Sequence, residues 1–128
     1  MQKTFLILGS AMAAIAVMLG AFGAHALKEK LPPDQLQIFE TGVRYQFYHA
    51  FGLIVVALLA EKFNSSYLVY SGYLFVAGII FFSGSLYLLS VRSLLGINWK
   101  FLGPMTPFGG LCFIIAWLLV LLSVIKKH

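Results

Sequence analysis

The side chains of this chain that could do chemistry fall into a few short stretches. His49 is the only histidine well inside an apolar run, with Tyr45 one helical turn before it and Gln46 three positions before it. Imidazole donates, accepts and titrates near neutral pH, so this trio could hold a ligand or handle a proton. It could equally hydrogen-bond a serine or a backbone carbonyl and hold two helices together. Arg44 lies beside the trio, and it either snorkels to lipid headgroups or pairs with Glu40 four residues earlier. Ser83, Ser85 and Tyr87 form a second polar group, and Thr106 and His25 stand near the ends of two other apolar runs. Tyr45, Tyr48 and Tyr87 also suit a membrane interface as aromatic anchors.

Catalytic machinery is missing from this inventory. There is no GxSxG, HExxH or P-loop, and the single cysteine, Cys112, cannot form an intramolecular disulfide. The acids are Glu29, Asp34, Glu40 and Glu61, all near the ends of apolar runs. No catalytic residue, metal site or cofactor is therefore assigned, and a non-enzymatic protein is expected.

The elements that must position these residues follow from composition. Of 128 residues, 61% are hydrophobic and 10% charged, against roughly 25% charged in soluble domains. Lipid must be the solvent for most of the surface. The net charge of +5 is spread over loops and termini; it fits anionic headgroups and gives no nucleic-acid footprint. A spanning helix needs about 20 apolar residues, and four stretches qualify, at about 5–24, 43–60, 67–91 and 107–125. The first is too long for the apolar core of a secretory signal, which runs roughly 7–15 residues, so it reads as a retained helix. The fold class is an all-α membrane protein, a four-transmembrane-helix bundle forming one domain over residues 1–128.

Between the first two spans, Pro32-Pro33 stops one element, and Asp34 with Gln37 reads as an N-cap and capping-box pair. Leu36, Phe39, Val43 and Phe47 then recur at helical spacing, an amphipathic lead-in running into the second span. Thr106-Pro107 reads as the N-cap and first turn of span four, whose free N–H groups could receive a carboxylate or phosphate. Trp99 suits an interface anchor. Gly9, Ala13, Ala16, Gly20 and Gly23 form a small-residue seam on span one, and Ser71, Gly78 and Ser85 one on span three. Such seams pack helices within a bundle or between copies in a homo-oligomer. A leucine at Gly20 is expected to disrupt the close approach.

Four spans place both termini on one side, here side A. The polar groups of all four spans then converge on side B, in one leaflet, with His49 about 9 Å inside its helix start. Lys3, Lys62, Lys126 and Lys127 fall on side A, and Lys28, Lys30, Arg44, Arg92 and Lys100 on side B. Lys3 and the Lys126-Lys127 stop favour cytoplasmic termini.

Gly20-Ala21-Phe22-Gly23-Ala24-His25-Ala26-Leu27, Tyr45-Gln46 with His49, Phe82-Ser83-Gly84-Ser85-Leu86-Tyr87 and Thr106-Pro107-Phe108-Gly109-Gly110 together resemble the bacterial domain-of-unknown-function 423 family. That resemblance covers nearly the whole chain. It implies a small multi-pass cell-membrane protein and supplies no substrate.

The expected function is thus a non-enzymatic membrane component binding a lipid, a small amphiphile or a partner protein through a polar side-B pocket. That pocket would be built from His49, Tyr45, Gln46, Arg44, His25, Ser83, Ser85, Tyr87 and Thr106. Membrane lipids and a second copy of the chain are the expected partners. One alternative is a small oligomeric transporter or channel. Another is a haem, quinone or metal-binding redox helper using His25 and His49.

Overall fold

The computed structural model describes residues 2–96 and 102–126; Trp99, Lys100 and Lys127 lie outside them. Among the described residues, four stretches are long and apolar enough to cross a membrane: Gln2–Leu27, Pro33–Lys62, Ser66–Ser90 and Leu102–Ile125. No strand occurs among the described residues. Helix is what lipid imposes here, because a backbone without water must satisfy its polar groups within its own segment.

Span one is α1 (Gln2–Phe22), continued by a π-helical turn, Gly23–Leu27, that carries His25. The Leu27 carbonyl accepts from the amides of Lys30 and Leu31, closing the chain before Pro32. Span two is α2 (Pro33–Lys62). Its N-cap is Pro32, with extended backbone, and Pro33 is the first helical residue. That corrects the assignment of Asp34 as N-cap. Proline has φ preset and no N–H to lose at the first position, so Asp34 falls inside the first turn, where its carboxylate faces the positive end of the helix dipole. Nor does Gln37 complete a capping box: with Pro32 as N-cap it falls beyond the first turn, and proline has no N–H to donate to its side chain.

At about 1.5 Å per residue, the 30 residues of α2 reach about 45 Å, well beyond the ~30 Å hydrocarbon core. The amphipathic lead-in and the second span are therefore one continuous helix whose first turns stand at the side-B interface. On side A, Ser65 caps α3 (Ser66–Gly78) by accepting from the Tyr67 amide at 3.2 Å. A π-helical turn, Ile79–Ser83, joins α3 to α4 (Gly84–Ser90), and the three together form span three. The short α5 (Arg92–Leu95) ends at Gly96, whose φ of 66° is the left-handed conformation glycine adopts without strain.

Span four is α6 (Leu102–Ile125). It begins before the expected position, so Thr106 is not an N-cap and Pro107 lies inside the helix. Proline breaks helices in water through its missing N–H and ring clash. Membrane helices tolerate it where neighbouring helices and hydroxyl side chains re-satisfy the freed groups. The anion-receiving N-terminus expected at Thr106 is consequently absent.

α1 packs chiefly on α2 and α6 on span three, so spans two and three form the middle of the bundle. The main core joins Phe5, Leu53, Val56, Leu68, Phe75, Phe113 and Ala116. A smaller cluster of Leu27, Leu31 and Phe39, with Tyr87 against it, closes the side-B end. On side A, Lys126 Nζ donates to the Tyr67 hydroxyl at 2.7 Å, tying the end of α6 to the start of α3.

Both small-residue seams are used inside the chain. Ala16 is buried, and a Cβ at Gly9 would lie 2.9 Å from the Ala50 carbonyl oxygen on α2. On span three, Ser71 donates to the Ala116 carbonyl at 2.8 Å and Gly78 accommodates the Phe113 ring. The tightest backbone approach is at Gly109, where a Cβ would lie 2.3 Å from the Phe82 nitrogen. Gly20 is not a tight contact, since a Cβ there would meet only Val43 Cγ1, at 3.5 Å.

Candidate functional site

The polar residues do gather toward side B, but they are used up as fastenings between helices. Gln46 is 2% exposed on α2. Its Nε2 donates to the Met12 carbonyl on α1 at 2.8 Å, and its Oε1 accepts from the Tyr87 hydroxyl on α4 at 2.5 Å. One amide thus joins three spans. Both its ends have a partner of the right sense, which fixes the amide orientation. Ser83, at the end of the π turn, donates to the Gly42 carbonyl of α2 at 2.7 Å. Ser85 donates to the Phe82 carbonyl at 2.9 Å and meets Thr106 at 2.6 Å. With the Ser85 hydrogen committed to Phe82, Thr106 is the donor in that pair.

His49 behaves differently. Its Nδ1 lies 2.6 Å from the Tyr45 carbonyl of its own helix, which makes Nδ1 the protonated nitrogen. The ring lies flat on Phe113 of α6, centroids 3.5 Å apart and planes 6° apart. Phe75 and Trp117 stand at 5.7 and 6.0 Å. It does not bond Ser83, Ser85 or Tyr87, which have found other partners. The Tyr45 ring packs on Phe82 at 4.8 Å, and His25 is exposed on its π turn. No buried side-chain nitrogen or oxygen among the described residues lacks a partner. Nor do three His, Cys, Asp or Glu come together among them.

The open space lies elsewhere, between α1 and α2. A groove of about 400 Å³ is floored by Ala16, Val17, Gly20 and Ala21 on α1 and by Phe39, Val43 and Phe47 on α2. Glu40 and Arg44 complete its lining. Small side chains on α1 create it, since Gly20 and Ala21 leave unfilled the volume that larger residues would occupy. The volume falls in the range of small-molecule sites, roughly 300–1,000 Å³.

Its depth follows from helix geometry. Arg44 precedes Glu61 by 17 residues, or about 26 Å of helix, close to the ~30 Å hydrocarbon thickness. With Glu61 at the side-A boundary, Arg44 stands at the side-B headgroup level and the apolar floor descends into that leaflet. Both Glu40 and Arg44 are exposed. Of the two expectations for Arg44, the pair with Glu40 does not form; neither residue has a polar partner among the described residues.

Of the residues expected to bind a ligand, Arg44 alone lines this groove. Gln46, Ser83, Ser85, Tyr87 and Thr106 are brought together as helix-to-helix bonds, while His49 and Tyr45 join an aromatic layer and His25 stands apart. In the sequence Ala16 and Gly20 read as a packing seam and Glu40 as one possible partner of Arg44, and neither pattern signals that they border one space. The Met12 carbonyl carried no signal at all, because a backbone acceptor has no residue type.

Comparison with known proteins places this architecture. The family model described as "Protein of unknown function (DUF423)" matches residues 19–110. The chain is 48% identical over 126 residues to the UPF0382 membrane protein YwdK of Bacillus subtilis, covering 98% of each chain. It is 42% identical over 125 residues to a UPF0382 membrane protein of Staphylococcus epidermidis, again 98% of each. A Staphylococcus aureus UPF0382 membrane protein is 40% identical over the same length, 98% of each. No solved structure matches the chain. With four spanning helices, near-complete alignment to relatives named as membrane proteins and a family match across most of its length, the chain is an integral membrane protein belonging to the DUF423 family.

Proposed function

We propose that this protein is a non-enzymatic component of the cell membrane that binds an amphiphile, with the ligand's apolar chain in the α1–α2 groove and its head at Arg44. The observation that carries this reading is the groove itself. An apolar slot of about 400 Å³ rises to a cationic side chain that has no polar partner among the described residues. Arginine at that level is the side chain best suited to a phosphate or carboxylate, since its planar fork matches their geometry.

The polar cluster around Gln46 supports the reading indirectly. It fastens α1, α2 and span three together just below the groove, so the walls are held by fixed helices. A transporter or channel finds less support. In the side-A half, Ser71 and Ser123 donate to backbone carbonyls and line no path.

The test is retention of lipid through purification. Native mass spectrometry of the wild-type protein should show one co-purified amphiphile per chain. Gly20→Leu, whose Cβ has room but whose branch enters the groove, should lose that adduct while helicity and melting temperature persist. An adduct of equal occupancy in a folded Gly20→Leu would overturn the reading.

A further inference from the structure

The groove has a charge pattern that bears on the head of its ligand. Glu40 and Arg44 both line it, four residues apart on α2, and are therefore about 6 Å apart along the helix axis. Glutamate four positions before a basic residue ordinarily makes a helix-surface pair. Here each charge is left without a partner among the described residues. Glu40 is the outer of the two, nearer the start of α2 and the aqueous phase, and Arg44 the inner.

A ligand complementary to that order carries its negative group inward, next to the acyl chains, and a positive group one short link further out. Resting on the amphiphile reading above, we infer that the groove selects a zwitterionic phospholipid with a primary ammonium, the phosphoethanolamine head class, its phosphate at Arg44 and its ammonium at Glu40. A phosphoglycerol head satisfies Arg44 and leaves the Glu40 carboxylate facing a net negative ligand. A phosphocholine head has the right charges, but its quaternary nitrogen has no N–H to donate to the carboxylate. The primary ammonium alone gives charge-assisted hydrogen bonds at both ends.

The test uses the full chain in vesicles holding equal amounts of phosphatidylethanolamine, phosphatidylglycerol and phosphatidylcholine of matched acyl chains. The lipid that leaves with the protein is read by native mass spectrometry. Phosphatidylethanolamine should be enriched about two- to fivefold over phosphatidylglycerol, the factor expected of one interfacial ion pair, and by a smaller factor over phosphatidylcholine, which keeps the charge and loses only the hydrogen bond. Glu40→Gln should bring the ethanolamine-to-glycerol ratio back to that of the vesicle. Arg44→Gln should lower retention of all three phospholipids and, in vesicles to which an uncharged monoacylglycerol is added, leave retention of that lipid unchanged. Both side chains are exposed, so the variants keep the fold. Equal enrichment of the three lipids by wild type, or an ethanolamine preference that survives Glu40→Gln, overturns the headgroup inference. Where lipid is still retained and still lost on Gly20→Leu, that failure leaves the amphiphile reading standing. Absence of any retained lipid overturns both.

Discussion

The imidazole of His49 lies flat against the ring of Phe113, centroids 3.5 Å apart and planes within 6° of parallel. The two residues come from α2 and α6, whose backbones otherwise meet little. A histidine at membrane depth is ordinarily a functional suspect, yet this one serves as a flat packing surface whose Nδ1 is held by its own helix. His49→Phe should keep the stack and melt close to wild type in detergent. His49→Ala should lose about 0.5–1.5 kcal/mol from the ring pair beyond the loss of buried area. His49→Gln should leave lipid retention unchanged, because His49 does not line the groove. Loss of the lipid adduct in a folded His49→Gln would return this residue to the binding site.

Gln46 gives the second prediction. Its amide joins the Met12 carbonyl to the Tyr87 hydroxyl, so a double-mutant cycle of Gln46→Leu and Tyr87→Phe isolates one intramembrane bond. Such bonds average about 0.6 kcal/mol and reach about 1.7. A coupling within that range, measured by steric trapping or detergent unfolding, agrees with the geometry. A coupling of zero would place Tyr87 elsewhere.

Glycine substitutions separate the tight approach from the open space. Gly109→Ala puts a Cβ against the Phe82 backbone and should destabilise by about 1–3 kcal/mol, as overpacking does. Gly20→Ala should be neutral or slightly stabilising, since alanine is the better helix former by about 1 kcal/mol and the space exists. A Gly109→Ala variant that melts with wild type would contradict the placement of α6 on the π turn, and a Gly20→Ala variant that melts well below wild type would contradict the open space at Gly20.

The contrast between Gly20 and Gly109 also shows what was legible in advance. Four spans could be read because hydrophobic length is a property of each segment alone. Their ends were less legible. Pro33 and Pro107 carry the same breaking signal, yet one opens a helix and the other lies within one. Only the surroundings decide that, since lipid removes the alternative of leaving the chain unwound. The convergence of Gln46, Ser83, Ser85, Tyr87 and Thr106 followed from depth along each helix. Their pairings did not, because the π turn at Ile79–Ser83 changes the phase of everything after it on span three. The groove was hidden for a further reason: it is made by what Ala16, Gly20 and Ala21 lack, and small residues read equally well as a packed seam.

Orientation has its own test. The termini are expected in the cytoplasm, with Lys30 and the groove on the opposite face. Single cysteines placed at position 2 and at Lys30, in a Cys112→Ser background, should react with an impermeant maleimide on intact cells only at Lys30. Labelling at position 2 from outside would invert the protein and put the groove in the inner leaflet.

The central claim is that an amphiphile occupies the space between α1 and α2, and photo-crosslinking tests it where it is made. A phospholipid carrying a diazirine in its acyl chain would be incorporated into membranes holding the full protein, irradiated, and its adducts mapped by peptide sequencing. Adducts should concentrate on Val17, Ala21, Val43 and Phe47, the walls of the groove, and fall away in Gly20→Leu. Adducts spread evenly over the lipid-facing side chains of α6, such as Ile114, Leu118 and Leu121, with no excess on α1 and α2, would contradict the account.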